Sequence, residues 1–217
     1  MITITGKQES FLDLLYSDES KKTSPEGKKV DKLREVEEKA LACKRCALRD
    51  GCKQVVFGEG KADARLMLVG EGPGGDEDRL GRPFVGRAGK LLDRILEAAE
   101  IPREDVYITN VVKCRPPGNR NPVQTEIDAC SSYLREQFKL ISPEIVICLG
   151  ALATKTIIDK NAAITRVRGQ WYQKEGMRLI ATFHPAALLR DPGKKKPVWE
   201  DFKEVMRYYH VDRGGEK

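Results

Sequence analysis

Four apolar runs in this chain each end directly in a polar motif, and that pattern limits the folds open to it. Leu66-Met67-Leu68-Val69 runs into Gly70-Glu71-Gly72-Pro73-Gly74, with the acidic stretch Asp76-Glu77-Asp78 just beyond. Val106-Tyr107-Ile108-Thr109 runs into Asn110, Ile145-Val146-Ile147-Cys148-Leu149 into Gly150, and Leu179-Ile180-Ala181-Thr182-Phe183 into His184-Pro185. Helical patterns alternate with these runs, at 33–43, 89–99, 123–140, 151–159 and 199–209. Alternation of this kind predicts an α/β domain built on four strands in a mainly parallel sheet. Gly169-Gln170-Trp171-Tyr172, ahead of Glu175-Gly176, predicts a small hairpin before the last strand. Ligands of such sheets bind at the carboxyl ends of the strands. Glu71, Asn110 and His184 all fall there, so a carboxylate, an amide and an imidazole are predicted to share one rim.

The 217 residues suffice for one domain with a full core and are few for two. Residues 1–32 read as a flexible tail, 33–210 as the domain and 211–217 as a C-terminal tail. The stretch 17–29 is rich in Ser, Lys, Glu, Pro and Gly, a linker composition. No apolar run approaches a membrane span and no hydrophobic signal segment opens the chain, which predicts a soluble, cytoplasmic protein. The net charge of +6 suits a polyanionic partner, although a solvated basic surface explains it equally well.

Six cysteines in a chain of this kind favour metal or redox chemistry over a disulfide framework. Cys43 and Cys46 form a CxxC pair, and Cys114 and Cys130 lie far downstream. If those two converge on the pair, the four-thiol site suits zinc or a [4Fe–4S] cluster, and spacing alone does not separate them. Cys52 competes for a ligand position. Cys148, inside an apolar run, reads as core, since a free thiol packs as a small hydrophobe.

Four motifs then define a resemblance. They are Gly70-Glu71-Gly72-Pro73-Gly74, the run from Gly81-Arg82-Pro83-Phe84 through Val85-Gly86-Arg87-Ala88-Gly89, Thr109-Asn110-Val111-Val112-Lys113-Cys114-Arg115-Pro116-Pro117, and His184-Pro185-Ala186-Ala187-Leu188. In this order and spacing the chain closely resembles the family 4 uracil-DNA glycosylases, iron–sulfur enzymes of bacteria and archaea, from about Leu41 to Tyr209. The resemblance implies a three-layer α/β/α sandwich with a central four-stranded, mainly parallel sheet. It also implies a [4Fe–4S] cluster on Cys43, Cys46, Cys114 and Cys130, structural in role, and removal of uracil from DNA in base excision repair by a monofunctional glycosylase.

The same resemblance distributes roles. Phe84 matches the platform for a flipped-out base, which the chemistry needs because the glycosidic bond is out of reach inside a duplex. Unaided, Phe84 also reads as ordinary core. Asn110 matches the amide that tells uracil from cytosine, though from sequence alone it could be a helix or turn cap. His184 matches the donor that stabilises uracil O2 as charge develops there. Glu71 is the candidate for water positioning or base holding, and Gly72 stands where another glycosylase family carries an aspartate. Glu77 matches a carboxylate that crowds the thymine methyl. For DNA the expected contacts are Arg87 at a helix start, Lys113, Arg115 and Arg190, with Arg120 and Lys194-Lys195-Lys196 nearby. Leu188 corresponds to the apolar wedge that fills the gap left by the base.

The covalent uracil-trapping branch of the superfamily carries a histidine in an inserted basic loop after the Asn motif. Here Pro116-Pro117-Gly118-Asn119-Arg120-Asn121-Pro122 follows without one, so turnover is expected. The reading from another class is a non-catalytic or redox-sensing iron–sulfur module on nucleic acid. Residues 8–16, with Phe11, Leu12, Leu14 and Leu15, loosely resemble the clamp-binding peptides of repair proteins. They make a sliding clamp a candidate partner, against the alternative of an amphipathic turn packed on the body. A monomer is the expected state.

Overall fold

A computed structural model describes residues 25–211, so the 8–16 segment lies outside the described residues. Six strands form one sheet: β1 (Glu59–Gly60), β2 (Leu66–Gly70), β3 (Tyr107–Asn110), β4 (Ile145–Leu149), β5 (Trp171–Lys174) and β6 (Met177–Thr182). Their order is β1-β3-β2-β4-β6-β5. The four expected strands are the central ones, β3-β2-β4-β6, all parallel. Two antiparallel edges extend the expected four to six. The small β1 has two residues and no apolar run to announce it. Strand β5 is the first arm of the expected hairpin, with Glu175 and Gly176 both at positive φ, 51° and 81°, in its two-residue turn.

Strands β2, β3 and β4 are buried on both faces, as sheets covered on both sides require. Successive side chains alternate between the two layers. Leu66 and Leu68 face a core shared with Leu92 and Leu96 of α4 (Arg87–Ala98) and Phe202 of α9 (Lys195–Tyr209). Met67 and Val69 face the other core, with Ile127 and Leu134 of α5 (Gln124–Ile141) and Ala153 of α6 (Ala151–Ile157). The three layers follow from that alternation.

The first described helix, α1, is Pro25–Leu41. It therefore covers the last eight residues of the segment assigned to the tail. Lys, Glu and Arg are good helix formers, and Pro suits a first helical position, so a linker-like composition here encodes helix. Only from Leu33 onward do apolar residues (Leu33, Val36, Ala40) meet the body, against Val55, Phe57 and Tyr133. Helix α5 opens at Val123, whose N–H donates to the Glu126 carboxylate at 2.8 Å. No described helix is long and apolar enough to cross a membrane.

A buried ion pair anchors the end of β6. Asp201 accepts from Thr182 Oγ1 at 2.6 Å and from the Arg168 guanidinium at 2.5 Å, just before the chain reaches His184. Breaking such a pair leaves an uncompensated charge in the core. We therefore expect Asp201→Ala to lose about 3–5 kcal/mol of stability in urea unfolding. A loss below about 1 kcal/mol would show that water reaches Arg168 freely.

Candidate active site

Register sets the site. Gly70 closes β2 directly opposite Asn110 at the end of β3, and β4 and β6 run on into Gly150 and His184. Strand order reverses about β2, with β3 on one side and β4 on the other, which opens a crevice at the carboxyl ends. A cavity of about 340 Å³ lies there, lined by Glu71, Gly72, Pro73, Glu77, Phe84, Asn110, His184 and Arg190, and closed by Pro116, Asn119, Arg120 and Asn121. A roomier groove of about 800 Å³ lies between α5 and the β5–β6 turn, away from these groups.

Phe84 sits at φ 51°, a strained value for a residue with a side chain, and is 5% exposed. Its carbonyl and that of Pro83 accept from Arg103 at 3.3 and 2.8 Å, and Arg103 is itself braced by Glu59 and Asp93. The Phe84 ring stacks on His184 with centroids 5.4 Å apart and planes 30° from parallel. Asn110 is buried beside them, and its Oδ1 has no hydrogen-bond partner. A buried acceptor left unpaired costs about 1–3 kcal/mol. The amide is complete only when a donor enters.

His184 caps the short helix α8 (Pro185–Arg190), with Nδ1 accepting from the Ala186 N–H at 3.1 Å. That bond places the ring proton on Nε2 and turns the imidazole into a donor toward the cavity. Burial, and secondarily the nearby Arg190 charge, depress its pKa to about 4. Gly150, at φ +92°, makes room: a Cβ there would lie 2.9 Å from the His184 Cβ.

Two carboxylates line the cavity. Glu77 Oε1 accepts from the N–H groups of Val85 and Gly86, at 2.9 and 2.8 Å, so it is pinned as a wall. Those N–H groups are thereby lost to any phosphate at the start of α4. Glu71 is half-buried, and burial raises its pKa against the opposing pull of Arg190.

The expected DNA contacts divide. Arg87 and Arg190 are exposed, Arg190 on the cavity rim, and Arg115 is partly exposed, with Nε donating to Asn119 Oδ1 at 2.8 Å. Arg120 is exposed but forms a two-pronged pair with Glu126. Lys113 cannot act as expected: it is 1% exposed, its ammonium turned inward onto Thr109, Asn110 and Gln137. Leu188 is also corrected. It is 2% exposed and belongs to the core that includes Leu91 and Leu92 of α4, while Leu189 beside it is 38% exposed.

Cys43, Cys46, Cys114 and Cys130 border one small cavity between α1, α5 and the end of β3. Burial raises the Cys130 thiol, and the Lys113 charge opposes it, with Cys46 and Cys43 close enough to interact. Cys43 behaves differently: burial works to raise it, but hydrogen bonds with Tyr133 and Arg45 prevail and lower it. Cys52 does not line this cavity but is close enough to Cys114 to interact with its thiol, and Cys148 is buried in β4 as expected. Among the described residues no three side chains already converge on one point as for a single metal ion.

Sequence reasoning missed Arg103, whose partners are far away in the chain, and Gly70. A Cβ on Gly70 would run into both Asn110 Oδ1 and the Phe84 ring. The depressed His184 pKa has a direct readout, since the chain has two histidines. Its ring signals should not titrate in NMR between pH 8 and 5, and a midpoint near 6.5 would contradict the burial. Between about pH 6.5 and 4 the unfolded chain binds more protons at this residue. Its contribution to stability therefore falls as pH drops through that window.

The comparisons agree with this geometry. Residues 57–203 match the uracil DNA glycosylase superfamily. The chain is 45% identical to a type-4 uracil-DNA glycosylase of Sulfurisphaera tokodaii, over 81% of this chain and 84% of that one. It is 45% identical to that of Thermotoga maritima, over 80% and 92%, and 40% identical to that of Archaeoglobus fulgidus, over 81% and 92%. A pocket holding a stacking ring, an unpaired amide and a neutral imidazole, on a chain this similar, leaves one assignment: the chain belongs to the uracil-DNA glycosylase superfamily and, within it, to the type-4 uracil-DNA glycosylases.

Proposed function

We propose that this chain removes uracil from DNA in base excision repair, hydrolysing the bond between uracil N1 and deoxyribose C1′ to leave an abasic site. The observation that carries the reading is the unpaired Asn110 Oδ1 in a cavity walled by Phe84 and His184. Uracil presents a donor at N3–H and an acceptor at O4, which one amide satisfies through Oδ1 and Nδ2. Cytosine presents the reverse pattern at both positions and leaves the amide unpaired, a strong basis for rejection.

The flipped base replaces His184 as the stacking partner of Phe84. Glu77, pinned by two N–H groups, walls the pocket where a thymine methyl would sit. As the bond breaks, its electron pair goes to uracil, and His184 Nε2–H donates to O2 as negative charge builds. An imidazole of such low pKa stabilises that anion without delivering a full proton. Glu71 is the other carboxylate of the pocket, and we assign it to orienting the water whose oxygen bonds to C1′; the proton that water sheds passes to solvent, which in turn protonates the departing uracil anion. Gly72 next to Glu71 has no room for a side chain, since a Cβ there would lie 2.8 Å from Val112 Cγ2. Arg87, Arg115 and Arg190 supply phosphate contacts, and Leu189, exposed at the rim, is the side chain available to fill the vacated stack.

The four cysteines fit a [4Fe–4S] cluster. Four thiols on one cavity make a donor set that suits iron–sulfur as well as zinc, and the chain's likeness to the type-4 enzymes supports the cluster. When bound, the cluster would staple α1, the β3 end and α5 together.

The test is release from an oligonucleotide with one U, beside the same strand carrying T, with alkali to cut abasic sites. Cleavage at U alone is expected, and none from cluster-loaded protein would overturn the reading in favour of a binding module. His184→Ala should lower kcat about 10²–10³-fold. Leu189→Ala should lose more activity on duplex than on single strands; equal losses would remove it as the wedge. For the cofactor, Cys130→Ser should abolish the brown absorbance and lower Tm, and a protein unchanged in both would refute the ligand set.

A further inference from the structure

Lys113 is the most deeply buried charged side chain whose role the reaction leaves unassigned. Its Nζ donates to Thr109 Oγ1 at 2.6 Å, to the Asn110 carbonyl at 2.8 Å and to Gln137 Oε1 at 2.6 Å. Three neutral acceptors surround Nζ, and no carboxylate is among them. Lysine is almost never fully buried unless its amine is paired, so a buried one marks a site whose bonds matter.

The acceptors are themselves locked. Thr109 Oγ1 donates to the Phe57 carbonyl at 2.8 Å, and Gln137 Nε2 donates to the same carbonyl at 2.9 Å and to Tyr107 Oη at 3.1 Å. The main chain of Lys113 is held as well. Its N–H donates to Cys130 Sγ at 3.3 Å, and its carbonyl accepts from the Val56 N–H at 2.7 Å. One residue therefore touches three things at once: the strand end that carries Asn110, the α5 side chain Gln137, and a cysteine of the thiol cavity.

Asn110 needs such support. Its Oδ1 receives no hydrogen bond from the protein, so the amide is aimed by its backbone and by the walls of Gly70 and Phe84. The peptide that fixes its backbone is the one Lys113 grips. We infer that Lys113 is a positioning residue for base reading: its ammonium ties the Asn110 carbonyl to α5 and aims the amide, and its N–H couples that aim to the cysteine site. The inference rests on the reading that Asn110 contacts the base. It replaces the phosphate contact that the sequence suggested, and the two roles differ in what they predict.

The experiment compares wild type and Lys113→Met, both with the full chain and the cluster, in release of uracil and cytosine from duplex oligonucleotides over a range of salt. Visible absorbance and Tm are read alongside. Removing a lysine that binds phosphate lowers the slope of log affinity against log salt by about 1. The positioning role predicts an unchanged salt slope and KM, with kcat on U at least 10-fold lower and the U-over-C preference reduced. Wild-type kcat and preference would overturn it, as would a kcat loss carried wholly by a reduced salt slope. If Lys113→Met does not fold or does not hold the cluster, Thr109→Val decides. That variant removes one of the three acceptors and should show the same loss of kcat and preference in smaller measure, and wild-type values in it would overturn the inference. Failure of the wild type itself to release uracil would instead refute the activity, so the two failures are distinguishable.

Discussion

Everything at the rim depends on the close approach of β2 and β3 where Gly70 faces Asn110. With no side chain at Gly70, the amide and the Phe84 ring converge above the strand end; an added methyl would push both away. Gly150 does the same on the other side of the crevice for His184. The parallel sheet thus brings a ring, an amide and an imidazole together from three chain segments, and each is positioned by a strand terminus. Rigid elements hold such constellations better than loops do.

The supports of this site are buried or half-buried polar groups held by several partners each. Arg103 grips the carbonyls behind Phe84, Asp201 with Arg168 secures the strand leading to His184, and Lys113 secures the one ending in Asn110. Each is expensive to bury alone and inexpensive once its bonds are filled. Within the pocket Asn110 Oδ1 is left open, where a ligand completes it. The site is therefore organised before DNA arrives, as electrostatic stabilisation of a developing anion requires.

Much of this was legible in the sequence because apolar runs and polar stops sit next to each other in the chain. The four central strands, the hairpin and the rim positions of Glu71, Asn110 and His184 all followed from that. What escaped depends on direction or distance. Burial of Lys113 and Leu188 turns on which way a side chain points after a strand or within a single helical turn, and neighbouring residues do not encode it. Arg103 meets Phe84 across nineteen positions, and Gly70 matters through two side chains distant in the chain, Phe84 and Asn110. Helix α1 was hidden by composition, since Lys and Glu serve linkers and solvated helices alike.

The central claim is that the pocket is shaped for uracil before catalysis, and the most direct test is a crystal structure of the protein with free uracil. The account predicts the ring stacked on Phe84, Asn110 Oδ1 accepting from N3–H, and His184 Nε2 within hydrogen-bonding distance of O2. Uracil bound elsewhere, or in this cavity with the Asn110 amide still unpaired, would contradict it.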